Sequence, residues 1–174
     1  STDTHFPVLC MQDGQNLFNV ANSSIGKIWQ ADRAMLKKVS ISEGPPCIIV
    51  GIWSDKAARW RHYFPKRIYG AASPKLKSLF DERAQGSIVS DLFLDWLSGS
   101  LKAAIDRSFR TIVSPDRTAI AGSSMGGIFS LYGILQRPEI FGRAACMSTH
   151  WPAVMPPSIG SSELEMMHLW EEWI

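Results

Sequence analysis

The stretch "TAIAGSSMGGIFSLYGIL", residues 118–135, passes from a strand-like apolar run into helical periodicity with almost no loop between. Ile128, Leu131, Tyr132 and Leu135 stand at i, i+3, i+4 and i+7, the spacing of one helix face, and place a helix from about Met125. A strand feeding directly into a helix is half of a strand–helix–strand crossover, so the remaining apolar runs are read for parallel strands.

Those runs are present. "FPVLCMQ" (6–12) and "CIIVGIW" (47–53) read as buried strands, the first ending at the polar turn "DGQN" and the second preceded by "GPP". "GRAACMSTH" reads as a fourth short strand. Ile28, Ala31, Met35 and Val39 share a side of a helix over 28–39. Val89, Leu92, Phe93 and Trp96 do the same over 87–106. Between 54 and 86 the pattern fails, and "SDKAARWRHYFPKRIYGAASPKLK" reads as a surface excursion with one short helix. After a proline-rich loop, "PAVMPPSIGSS", a last helix is expected over "SELEMMHLWEEWI", with Ser161 as its cap. The alternation gives one α/β domain over residues 1–174, a three-layer sandwich around a mostly parallel sheet.

Length and composition narrow the functional classes. With 174 residues and 45% hydrophobic content the chain can bury a real core. A net charge of +2 argues against nucleic acid, although Arg59, Arg61, Lys66 and Arg67 cluster beside Trp60 and Tyr63. No apolar run approaches the roughly 20 residues that span a bilayer, and "STDTHFPVLC" has no signal-peptide pattern. Cys10, Cys47 and Cys146 show neither a disulfide framework nor a metal-ligand spacing. They are expected to be three buried, reduced thiols of a cytoplasmic protein that needs no cofactor or metal.

The chemistry is carried by "GSSMGG". Gly122, Ser124 and Gly126 form G-x-S-x-G between strand and helix, the pattern of a nucleophile elbow. A serine there is forced into a strained backbone conformation that raises its hydroxyl above the sheet, and side chains two positions away would collide with the turn. The Met125 amide, at the start of the helix, is placed to stabilise an oxyanion. A second donor belongs on the loop after a neighbouring strand, which points to the Gln15 amide, with Gly14 expected to turn the backbone and Asn16 facing the substrate pocket.

With these residues the chain resembles the putative-esterase family of α/β-hydrolases, which includes enterochelin-esterase-like, S-formylglutathione-hydrolase-like and acetylxylan- or feruloyl-esterase-like enzymes. "FPVLCMQDGQNLF", "IIVGIW" and "AIAGSSMGGIFSLYGILQRPEIFGRAACMS" carry the resemblance, with Trp151 following. It implies Ser124 as nucleophile, Gln15 and Met125 as oxyanion hole and Trp151 beside the acyl or alcohol pocket. It also implies two further strands ahead of Phe6, and a catalytic Asp and His beyond Ile174. His62 stands where related sequences carry an acidic residue.

A serine needs a general base. After Ser124 no aspartate occurs, and the histidines are His150 and His168. His150 directly follows the fourth strand and is the candidate base within the chain; His168 reads as a solvated residue of the last helix. The expected function is a serine carboxylesterase on small acyl esters, acylated sugars among them. A non-catalytic fragment or pseudoenzyme acting through self-association is the alternative, and acyl transfer a third reading. A sheet ending at the fourth strand leaves an open edge, expected to be covered by a second copy, a swapped segment or another chain, with Trp170, Trp173 and Ile174 as an interface.

Overall fold

The computed structural model describes residues 3–151 and 161–174, the side chains of 161–163 excepted. The proline-rich stretch at 152–160 and the expected Ser161 cap lie outside the described residues. Four parallel strands form the sheet: β1 (Val8–Gln12), β2 (Ile48–Ile52), β3 (Thr118–Ser123) and β4 (Arg143–Met147), in the order β2-β1-β3-β4. Cys10 pairs with Val50 on one side and Ile120 on the other, and Ile120 with Ala144.

The pleat sends alternate residues to opposite faces. Leu9, Met11, Ile49 and Ala121 face a small cluster with Leu17 and with Ala31 of α1 (Ala31–Ser40). Val8, Cys10, Val50 and Ile120 face the main core. That core is closed by α2 (Arg59–Tyr63), α3 (Lys66–Ala71), α4 (Pro74–Ala84), α5 (Ser90–Trp96), α7 (Met125–Gln136) and α8 (Ser161–Trp173). The result is the expected three-layer α/β arrangement with a fully parallel sheet. Between α5 and α6 (Lys102–Ser108), Leu97–Leu101 forms a π-helical turn.

Several expectations are corrected. The stretch 54–86 holds three helices, and Tyr63, Phe64, Ile68, Ala72, Leu76, Phe80 and Ala84 are core residues. Phe64 and Phe80 pack with ring centroids 4.3 Å apart, and Ser73 caps α4 by accepting from the Leu76 N–H at 3.3 Å. In the 87–106 segment Leu92 and Trp96 point outward, Val89 and Phe93 are half-buried, and Ile88, Leu94 and Leu97 are the buried apolar residues beside Ser90, Ser98 and Lys102, so the inward face is shifted from the one the periodicity suggests. Trp170 is buried, with Trp151 and Trp173 each 5.4 Å away; only Ile174 of the expected interface trio is strongly exposed.

The thiols differ as well. Cys10 is buried, and burial pushes its pKa up to about 12. Cys47 is half-buried and Cys146 is exposed, because residues 143–146 of β4 lie on the sheet's open edge. Among the described residues no helix is long and apolar enough to cross a membrane.

Candidate active site

Strand β3 ends at Ser123 and α7 begins at Met125, leaving Ser124 alone to make the turn. Its backbone sits at φ 58° and ψ −120°, a sparsely populated region that costs a non-glycine residue about 1–3 kcal/mol. The strain is held from both sides. The Ser124 N–H donates to the Met147 carbonyl at 3.0 Å, and the Ser124 carbonyl accepts from Gly127 N–H at 3.0 Å and Ile128 N–H at 3.2 Å. Space requires glycine at 122, where a Cβ would lie 2.4 Å from the Gly126 carbonyl oxygen; at Gly126 a Cβ would lie 3.2 Å from the Gln12 Cβ, a tight contact to which that side chain would have to yield. Ser124 is half-buried, and its hydroxyl has no hydrogen-bond partner among the described residues.

The loop after β1 lies across the same cleft. Asp13 takes the left-handed conformation, φ 56° and ψ 47°, and Gly14–Asn16 form one tight turn. The backbone reversal is therefore made by Asp13. Gly14 serves another purpose: a Cβ there would stand 2.5 Å from the Gly51 carbonyl carbon, so only glycine lets the loop lie on β2. Gln15 and Ser124 both line a cleft of about 460 Å³, with Asn16, Trp29, Lys56 and Trp60 on its walls. Met125 N–H stands at the first helical position, where no intrahelical acceptor exists. Neither it nor Gln15 N–H donates to a backbone carbonyl in the turns and loops of the described residues.

Of the other expected site residues, Asn16 lines the cleft and Trp151 does not. The Asn16 carboxamide oxygen accepts from Ser23 Oγ at 3.0 Å, Ser24 N–H at 3.1 Å and Ser24 Oγ at 3.3 Å, so it also ties down the following loop. Trp151 stacks edge-on against Trp170 and accepts the Trp170 indole N–H on its carbonyl at 2.7 Å; it is not among the residues lining the cleft. His150 reaches Ser124 through its backbone, N–H to Ser124 carbonyl at 3.5 Å, and no hydrogen bond joins its ring to the Ser124 hydroxyl. Burial, and then the charge of Arg83, lower the His150 pKa. The His168 Nδ1 lies 3.4 Å from a Glu171 carboxylate oxygen, both exposed, while Glu165 instead accepts from the Ser73 N–H and Oγ. Among the described residues no group of three His, Cys, Asp or Glu side chains could hold a metal.

Four residues not assigned a part in the site from the sequence organise the cleft: Asp13, Ser54, Arg59 and Tyr63. Arg59 grips Asp13 with two bonds, Nε to Oδ1 at 2.9 Å and Nη2 to Oδ2 at 2.8 Å. Ser54 Oγ donates to Asp13 Oδ1 at 2.6 Å, and the Tyr63 hydroxyl accepts from Asp13 N–H at 3.2 Å. The available signal was the spacing of Trp60, Tyr63 and Phe64, at i, i+3 and i+4, which marks a helix face.

Residues 1–173 match the family described as "Putative esterase". The chain belongs to the putative-esterase family. It is 27% identical over 153 residues to the ferri-bacillibactin esterase BesA of Bacillus subtilis, covering 84% of this chain and 49% of that one. Two solved structures share the fold. The BES protein from Bacillus cereus has a TM-score of 0.63 at 17% identity, over 97% of this chain and 56% of that one. The enterobactin esterase FES from Shigella flexneri has a TM-score of 0.58 at 21% identity, over 91% and 33%. This member of the putative-esterase family thus spans about half the length of the curated relatives it matches.

Proposed function

We propose that the chain carries the nucleophile and oxyanion hole of a serine carboxylesterase. One observation carries this reading: Ser124 is held in a strained turn at the head of α7, with its hydroxyl unengaged at a cleft. Strain of that kind is retained where it positions a reacting group. In the proposed reaction, Ser124 Oγ attacks the ester carbonyl. The oxygen gains negative charge and accepts from Met125 N–H and Gln15 N–H. The alcohol departs with a proton, leaving an acyl-enzyme, and water then releases the acid and regenerates Ser124.

The proposed reaction needs a base to take the Ser124 proton, a role the family resemblance gives to a histidine. His150 is the candidate inside the described residues, and its lowered pKa keeps the ring in the unprotonated form a base needs. The substrate class is a small carboxylic ester. Acylated sugars fit the resemblance, while the relatives named for bacillibactin and enterobactin add esters of siderophores. The indoles of Trp29 and Trp60 offer apolar surface to an acyl group.

The test is labelling with a fluorophosphonate together with turnover of p-nitrophenyl acetate, an acetylated xylo-oligosaccharide and a catecholate serine ester. Labelling is expected on Ser124, and Ser124→Ala should reduce both signals to background. Loss on His150→Ala would place the base within the chain. A correctly folded protein with neither labelling nor turnover would support the non-catalytic alternative.

A further inference from the structure

An oxyanion hole whose two amides come from different segments works only if those segments keep a fixed separation. Here one segment is the loop at Asp13–Gln15 and the other is the elbow at Ser123–Met125. The ladder between β1 and β3 closes with Met11 opposite Ala121, so the chain beyond that pair has no strand hydrogen bonds across the gap. Both proposed amides lie past this point.

Arg59 spans the gap. Its guanidinium binds both oxygens of Asp13 and also donates from Nη2 to the Ser123 carbonyl at 3.4 Å. Among the described residues it is the one side chain whose hydrogen bonds reach both segments. Its guanidinium carbon stands over the Tyr63 ring, 5.2 Å from the centroid, and Tyr63 is fully buried, packed against Phe93 and Phe129. From Asp13 the connection continues to the second amide's own residue. Ser54 donates to Asp13 Oδ1 while its N–H donates to Gln15 Oε1 at 3.1 Å, and Gln15 Nε2 donates back to Ser54 Oγ at 3.0 Å. The path from the elbow to Gln15 is thus a closed set of directional bonds anchored on a buried ring.

We propose that Arg59 is a positioning residue of the oxyanion hole, holding Asp13 and Ser123 at once so that the Gln15 amide stands at a fixed distance from Ser124. The inference rests on the serine-esterase reading above. A fork of several donors in one plane is needed for it, because three bonds diverge to two segments; a lysine ammonium supplies a point charge without that geometry.

The test compares wild type, Arg59→Met, Arg59→Lys and Arg59→Ala in p-nitrophenyl acetate turnover, with kcat expressed per site titrated to endpoint by fluorophosphonate. Counting titrated sites removes any unfolded fraction. Arg59→Met is expected to lower kcat by roughly 10- to 100-fold, less than deleting an oxyanion donor outright, with little change in KM. Arg59→Lys keeps the charge and most of the stem, and is expected to fold and to remain slow. Guanidinium ion at millimolar concentration should restore part of the rate of Arg59→Ala, and methylammonium should not. Wild-type kcat per titrated site in Arg59→Lys, or in a folded Arg59→Met, overturns the proposal while leaving the esterase reading intact. A wild type that neither labels nor turns over removes both.

Discussion

Gly122 and Gly126 face each other across the elbow so closely that a Cβ on Gly122 would stand 2.4 Å from the Gly126 carbonyl oxygen and 2.5 Å from its carbon. The obstacle is backbone, which cannot swing aside as a side chain can. Gly122→Ala must therefore push α7 off β3 or abandon the turn. A loss of about 3 kcal/mol is expected in urea unfolding, the upper range for overpacking, with loss of fluorophosphonate labelling in the folded fraction. Gly70 is the contrast. It lies in α3, nothing stands within 4 Å of its missing Cβ, and its φ needs no glycine. Gly70→Ala is expected to raise stability by about 0.5 kcal/mol. Equal midpoints for the two variants would show that the elbow is not tightly packed.

Lys102 and Asp106 form an ion pair one helical turn apart on α6, with Lys102 buried and Asp106 also accepting from Thr111 Oγ1 at 2.7 Å. Removing the carboxylate alone strands a buried ammonium. Asp106→Leu is expected to cost about 3–5 kcal/mol, whereas Lys102→Met combined with Asp106→Leu should recover most of it, since an apolar pair of similar volume avoids desolvating two charges. A double-mutant cycle in urea checks this. Simple additivity of the two single changes would show that the pair is not coupled.

The sheet and the elbow were legible because their signals are local. β1, β2 and β3 are unbroken apolar runs, and the spacing of Gly122, Ser124 and Gly126 is dictated within one turn. The helices α2 to α4 were not, because prolines, Gly70 and five or more basic residues obscure apolar residues whose burial is decided by distant partners. Phe64 is inward because Phe80 meets it, and neither position announces the other. The same holds for the site. Ser124 could be singled out alone, but Arg59 looked like ordinary surface charge until its partner Asp13, 46 residues earlier, stood beside it. The turn residue of the Asp13 loop was misassigned to Gly14 because Asp-Gly commonly puts glycine in the left-handed position; here contact with Gly51 claims the glycine instead.

His62 stacks on Phe93, ring centroids 4.7 Å apart and planes 9° from parallel. Burial first and the neighbouring Arg61 second lower its pKa from 6.5, against a smaller opposing effect of Asp55. The unfolded chain then takes up the proton before the folded one does. Stability from this group is complete above the unfolded value and falls as pH drops through it toward the lower folded value. His150 acts in the same direction. The melting temperature is expected to decline between about pH 7.5 and about pH 5, and His62→Phe, which keeps a stacked ring without a titrating nitrogen, should flatten that decline. A variant whose melting temperature falls as steeply as wild type would assign the acid sensitivity elsewhere.

Gln12 closes β1 on the face that carries Cys10, and it is 3% exposed. Neither its carboxamide nitrogen nor its oxygen has a partner among the described residues. A buried polar group left unpaired costs about 1–3 kcal/mol, and replacing it with an apolar group of the same shape removes that cost. Methionine is the fitting replacement, since it is unbranched, similar in length and able to fill an irregular space. The Gly126 backbone packs beside the Gln12 Cβ, which methionine retains, so the elbow need not move. Gln12→Met is therefore expected to raise stability by about 1 kcal/mol in urea unfolding while fluorophosphonate labelling of Ser124 proceeds at the wild-type rate. A fall in stability would show that the carboxamide is hydrogen-bonded in solution, and slowed labelling at unchanged stability would show that it faces the reacting ester.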